Sequence, residues 1–146
     1  MTEPLLVACP GCNALNRVPQ ARLAETPNCG KCGEPLFDGR PLALGVVAFA
    51  AHAERASLPL LVDFWASWCG PCRMMASQFE AAAAQLEPQL RLAKVDTEAH
   101  PALGGRFGIR SIPTLVLFRQ GRELARQPGA TGAADIVRWA RHHLPN

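Results

Sequence analysis

Residues 60–73 read LLVDFWASWCGPCR. Cys69 and Cys72 stand two residues apart, directly after an apolar run. The β-branched and aromatic members of PLLVDFWA (59–66) mark that run as a strand buried on both faces. After Pro71 the apolar period changes. Met75, Phe79, Ala82 and Leu86 follow at helical spacing, and Pro88 sets the end of the helix. The cysteine pair therefore occupies a strand-to-helix turn. The first cysteine meets a helix N-terminus, where unpaired N–H groups and the helix dipole favour its thiolate. The thiolate is the nucleophilic form. The second cysteine lies close enough to close a disulfide. Gly70 tolerates close approach by a partner, and Pro71 suits a first helical turn. Trp68 offers an apolar rim.

Working outward, PLALG (41–45) reads as a short strand and VVAFAAHAERAS (46–57) as a helix ending before Pro59. LRLAKVD (90–96) alternates as a strand, and HPALGGRFG (100–108) is a short, glycine-weakened helix. TLVLFRQGRELAR (114–126) is a hairpin turning at Gln120–Gly121. TGAADIVRWARHHL (131–144) closes as an amphipathic helix, with Thr131 or Gly132 near its cap. The fold class is α/β. Strand–helix alternation implies parallel pairing, and the hairpin adds an antiparallel edge.

The first forty residues have another texture. They are dense in Pro, Gly, Asn and Cys, show no sustained apolar period, and read as a knuckle-rich module without a sufficient core of its own. FDGRP (37–41) marks the boundary, giving domains 1–40 and 41–146. Cys9, Cys12, Cys29 and Cys32 form two CxxC knuckles separated by 16 residues. Four thiolates suit one tetrahedral zinc, and this spacing fits four-cysteine zinc sites. Gly11, Gly30 and Gly33 suit tight knuckles, whose N–H groups can donate to sulfur. Such a closed site is structural. Two disulfides, an iron site or free thiols are the alternatives.

The chain has 146 residues, 49% hydrophobic and 18% charged, enough for a packed core. The net charge of +3 is small, and residues 1–40 balance four basic against four acidic groups. That argues against a nucleic-acid partner. No apolar run has the length of a membrane span. The opening MTEPLLVACPGC carries no basic leader, so a cytoplasmic, reducing compartment is expected. There, CxxC pairs indicate metal binding and catalysis more than structural disulfides. His142 and His143 end a helix and fit its dipole better than a metal.

VDFWASWCGPC resembles the active-site segment of the thioredoxins. The resemblance continues through AKVD, FGIRSIPTLVLFRQG and the Gly129–Ala130 pair, in order over residues 42–146. LNRVP (15–19) and CGKCGEPLFDG (29–39) extend it to the bacterial thioredoxin 2 type, which carries an N-terminal zinc module. The resemblance implies a thioredoxin fold, a mixed central sheet flanked by helices, with a small four-cysteine zinc-knuckle or ribbon domain. It implies that Cys69 attacks, Cys72 resolves the mixed disulfide, Asp63 is a buried carboxylate assisting proton transfer, and Lys94 neighbours it. Pro113 matches the cis-proline facing the disulfide. Trp65, Trp68, Gly70, Pro71, Ile112, Gly129 and Ala130 would form the substrate-docking surface.

The residues also bear on these roles directly. No further Cys or His with ligand spacing follows Cys72, which argues against a metal there. The apolar neighbours of Asp63 argue against a solvent-facing position, whereas Lys94 reads equally as functional or as a solvated strand-end lysine. Two positions depart from the family pattern. Ser77 stands where many thioredoxins have a kinking proline, and Ser111 stands where glycine is also common.

The implied activity is reduction of protein disulfides, with the dithiol regenerated by an NADPH-dependent thioredoxin reductase. No organic cofactor and no membrane partner are implied, and a monomer is expected. The rival is a zinc-dependent redox sensor or binding adaptor on an inert scaffold. The intact WCGPC segment and Pro113 oppose it. A second rival runs the same chemistry backwards, as an oxidase or isomerase. The zinc module either lies near the redox pair and tunes it, or caps the fold.

Overall fold

The structure is a computed structural model and describes residues 3–145. Its centre is a five-stranded sheet. The strands are β3 (Leu42–Ala43), β4 (Leu60–Trp65), β5 (Arg91–Asp96), β6 (Thr114–Arg119) and β7 (Arg122–Pro128), in the order β3-β5-β4-β6-β7. β4 holds the middle, which is why its sequence is apolar almost throughout: Leu60 to Phe64 are all buried. β5 pairs parallel with both β3 and β4.

β6 runs antiparallel to β4, whereas strand–helix alternation alone implies a parallel partner. The connection runs through the short helix α3 (Pro101–Arg106), whose six residues rise only about 9 Å, and β6 starts at the end where β5 stopped. The hairpin from β6 to β7 turns at Gln120 and Gly121, with φ of 49° and 82°. Two left-handed residues match the twist of the flanking strands. Along β7 nearly every residue is exposed, and its register with β6 shifts between Leu117 and Phe118.

The pleat sorts the core into two layers. Leu61, Leu92, Leu115 and Leu117 face α2 (Gly70–Leu86) and α4 (Ala133–His143). Met75, Phe79, Ala82 and Leu86 form the expected buried stripe of α2. On the other face, Leu60, Val62, Phe64, Val116 and Phe118 meet Phe49, Ala53 and Leu103. Phe49 ends α1 (Val46–Phe49), which continues in wider π-helical turns over Ala50–Arg55.

The N-terminal segment folds as a hairpin of β1 (Leu5–Ala8) and β2 (Leu15–Val18), where the apolar spacing predicts no strands. Val7, Val18, Leu36 and the sulfur-bearing Cys9 and Cys29 bury together, and Leu58 from outside the segment completes the cluster. The Leu6 carbonyl accepts from the N–H groups of Ser57 and Leu58, at 2.9 and 3.3 Å. Arg91 donates through Nη2 to the Ala8 carbonyl at 3.0 Å. These contacts lie at the starting ends of β4 and β5. The Cys69–Cys72 turn follows the opposite end of β4, about 16 Å away along the strand. The module thus docks at the far pole and makes no approach to the redox pair through these contacts. Among the described residues no helix is long and apolar enough to cross a membrane.

Candidate active site and metal centre

β4 ends at Trp65, and the chain turns through Ala66–Trp68 into α2. Cys69 is the N-cap residue, in an extended conformation, with Pro71 in the first helical turn. Cys69 and Cys72 form a disulfide, with Cα atoms 5.2 Å apart. The Cys72 N–H donates to Cys69 Sγ at 3.2 Å. This donor aims at the atom that holds negative charge once the disulfide opens. Both sulfurs belong to nearly buried residues, while Trp68 beside them is 65% exposed.

The loop before β6 closes over the pair. The Ile112–Pro113 peptide is cis, and the Ile112 carbonyl oxygen lies 3.6 Å from Cys69 Sγ. The Pro113 carbonyl accepts from Gly129 N–H at 2.9 Å, and Gly129 takes a φ of +96°. Ala130 follows it, exposed. Cys69, Cys72, Trp68, Gly70, Pro71, Ile112, Pro113, Gly129 and Ala130 are far apart in sequence. They come from the α2 N-terminus and the two loops flanking β6 and β7.

Asp63 is fully buried on the sheet face that packs α2, whose buried stripe begins with Cys72. Neither carboxylate oxygen has a hydrogen-bond partner. Burial pushes its carboxyl up to about 7, opposed by the positive charge of Lys94. Lys94 is its register partner on β5. The Lys94 ammonium sits 4.3 Å from the Trp65 ring centre, a cation–π contact. The chain therefore holds a buried carboxyl raised to about 7 on the sheet face that packs α2, the helix that begins with the disulfide. Lys94 and Trp65 are brought together, and Trp65, like Ile112, is half-buried.

The other four cysteines gather into one cluster, all Sγ atoms within 4.8 Å of one another. Cys9 and Cys32 sulfurs are 3.5 Å apart, and those of Cys12 and Cys29 3.7 Å. A tetrahedral ion with sulfur bonds near 2.3 Å needs edges of about 3.8 Å, so the donor set fits one metal ion. The two knuckles repeat each other. The N–H groups of Gly11 and Lys31 donate to Cys9 and Cys29 sulfur at 3.3 and 3.4 Å. Asn13 and Gly33 take left-handed φ of 64° and 81° and donate to the Cys9 and Cys29 carbonyls. Sequence reasoning missed Asn16. Its amide donates to Cys29 Sγ at 3.5 Å, and its Oδ1 accepts from Gly30 N–H at 2.8 Å. A single asparagine in a four-residue strand carries no signal of such a role.

Fold and site define a thiol–disulfide oxidoreductase. Residues 42–142 match the thioredoxin family model, and residues 8–34 match a zinc-ribbon model described as "Thioredoxin 2, N-terminal". The chain belongs to the thioredoxin family. It is 43% identical over 140 residues to Thioredoxin C-3 of Corynebacterium nephridii, covering 96% of each chain. It is 40% identical over 99 residues to a thioredoxin of Mycobacterium bovis, covering 68% of this chain and 85% of that one. Its fold is similar to that of a mutant thioredoxin from Halobacterium salinarum NRC-1. There the TM-score is 0.65 and the identity 28%, over 74% of this chain and 94% of the other.

Proposed function

We propose that the chain reduces protein disulfides, with Cys69 as the attacking thiolate and Cys72 as the resolving thiol. The observation that carries this reading is the Cys69–Cys72 disulfide at the α2 N-terminus, with the Cys72 N–H on Cys69 Sγ. In the dithiol form, Cys69 thiolate attacks one sulfur of the substrate cystine. A mixed disulfide forms, and the other substrate sulfur leaves as a thiolate. Cys72 gives its proton to Asp63 and attacks Cys69 Sγ. The enzyme disulfide closes, the second substrate thiolate leaves, and two electrons have passed to the substrate. Asp63 suits this step because its carboxyl, near 7, is half ionised at neutral pH. Lys94 favours the ionised form.

Substrate docks on Trp65, Trp68, Gly70, Pro71, Ile112, Pro113, Gly129 and Ala130, and the Trp65 ring also meets the Lys94 ammonium. The four N-terminal cysteines hold one structural zinc, with residues 1–40 as the zinc domain and 41–146 as the redox domain. An NADPH-dependent thioredoxin reductase restores the dithiol, the protein works as a monomer, and it resides in the cytoplasm. The Cys72→Ser variant tests the core of this reading. Mixed with an oxidised protein substrate, it accumulates a covalent adduct through Cys69, visible by mass spectrometry. Absence of the adduct while Cys69→Ser still reduces disulfides overturns the assignment.

A further inference from the structure

Between the cysteine knuckles and the edge strand β3 lies a cavity of about 650 Å³ that the roles above leave without a task. Cys12 and Cys32, one from each knuckle, open onto it, whereas Cys9 and Cys29 are buried in the module's own core. Four thiolates on one divalent ion carry net negative charge. The buried side of the cluster has a counter-charge, because the Arg91 guanidinium lies near Cys9. The cavity side has none: among the described residues, no basic side chain lines it. Glu34 and Asp38 add carboxylates there instead. Both are exposed, and Glu34 makes no ion pair among the described residues. The Glu34 side chain lies across the first knuckle, where a Cβ at Gly11 would meet its Cγ at 3.7 Å. The remaining walls, Pro10, Pro35 and Leu42, are apolar. A negative cavity of this kind runs against a chain whose net charge is +3.

We propose that this cavity docks an arginine side chain borne on an extended segment of a partner protein. The proposal rests on the reading of the four N-terminal cysteines as a zinc site. A guanidinium carries donors for sulfur and carboxylate together, in a fixed planar fork. It is also weakly hydrated, so it enters a cavity with apolar walls more readily than an ammonium does. The space exceeds one side chain, and Pro10, Pro35 and Leu42 cover the apolar neighbours of the arginine. Charge complementarity fixes the occupant as basic, since Glu34, Asp38 and the two thiolates all face it. The module stands at the pole away from Cys69, so a partner held here leaves the redox face free. Docking and disulfide reduction then proceed on one molecule at the same time.

The test titrates the zinc-loaded full-length protein with a short blocked peptide holding Arg between leucines, and with its citrulline counterpart, followed by amide NMR. The arginine peptide should shift the amides of Gly11, Cys12, Cys32 and Glu34, and bind about tenfold tighter than the citrulline peptide. Glu34→Lys should lower that affinity by about tenfold and leave the melting temperature unchanged, and Glu34→Gln should give a smaller loss. Reduction of a small disulfide should continue at full rate with the peptide bound. Equal binding of the two peptides, shifts confined to other amides, unaltered affinity in both variants, or agmatine binding as tightly as the peptide overturns the proposal. Slowed reduction of the small disulfide overturns it too, by placing the peptide at Cys69. A protein that purifies without zinc overturns the metal reading and this proposal together, whereas bound zinc with no preference for arginine overturns this proposal alone.

Discussion

The Arg91 guanidinium, at the start of β5, donates to the carbonyl of Ala8, the residue before Cys9 in the metal cluster, at 3.0 Å. It also lies 4.5 Å from the centre of the Phe37 ring. One buried side chain of the central sheet thus holds both arms of the N-terminal module, with Glu87 and Asp38 supplying the nearby negative charge. Arg91→Ala strands the Ala8 carbonyl and those carboxylates. It is expected to lower unfolding stability by about 3 kcal/mol, measured by urea titration. A loss within the range of about ±0.5 kcal/mol usual for surface substitutions refutes the clamp.

Asp63 links stability to pH. Its carboxyl is raised from 3.8 to about 7 in the folded state, so the fold keeps a proton that the unfolded chain releases above pH 3.8. Stability from this group is complete below that point and falls as pH rises towards 7. The shift corresponds to about 4 kcal/mol. Asp63→Asn in the oxidised protein should therefore change little at or below pH 3.8 and stabilise the fold increasingly as pH rises to 7 and beyond. Chemical denaturation on either side of the window reads this directly, and equal effects at both would refute the linkage.

The same substitution bears on rate. Without the carboxyl, Cys72 loses its nearby proton acceptor, so release of the mixed disulfide should slow most near neutral pH and recover as hydroxide takes over. Rapid-mixing kinetics from mildly acidic to alkaline pH check this. A profile parallel to wild type removes Asp63 from the proton path.

Trp68 separates docking from stability. At 65% exposure it contributes little packing, so Trp68→Ala should leave the melting temperature unchanged. It should lower kcat/KM on a protein disulfide by about tenfold, the effect of a modest interface hot spot. A full rate in the variant places substrate docking elsewhere.

Metal removal distinguishes a cap from a tuner. The cluster lies at the pole away from Cys69, and Cys9 and Cys29 belong to the small core with Val7, Val18 and Leu36. Chelation should expose the amides of β1 and β2 to hydrogen exchange and lower the melting temperature. Disulfide reduction at room temperature should continue at the holoprotein rate. A matching collapse of both would mean that the module acts on the redox pair through the body of the sheet.

Much of this was legible in the chain. Asp63 stood out because a lone carboxylate between Val62 and Phe64 has no solvent-facing alternative in a doubly buried strand. The α2 stripe and the hairpin at Gln120–Gly121 were readable because local period and turn chemistry agree with the fold. Arg91 was not. Between Leu90 and Leu92 it reads as the polar position of an alternating strand, and only the docked module buries it. The strands β1 and β2 were hidden for a related reason. LLVA and LNRV are too short for a period, and their order comes from sulfur clustering and Leu58. The direction of β6 was hidden because the connection from β5 to β6 is long enough for either sense.

The outer strands of the sheet carry a last consequence. β7 is exposed along its length, bears Arg122, Glu123 and Arg126, and breaks register with its neighbour. At the opposite side β3 is two residues long. Neither offers a flat, uncharged row of free amides on which a stranger could extend the sheet. The borders of the central sheet thus oppose strand addition, which would keep a protein proposed to dock extended substrate chains from recruiting them there into aggregates.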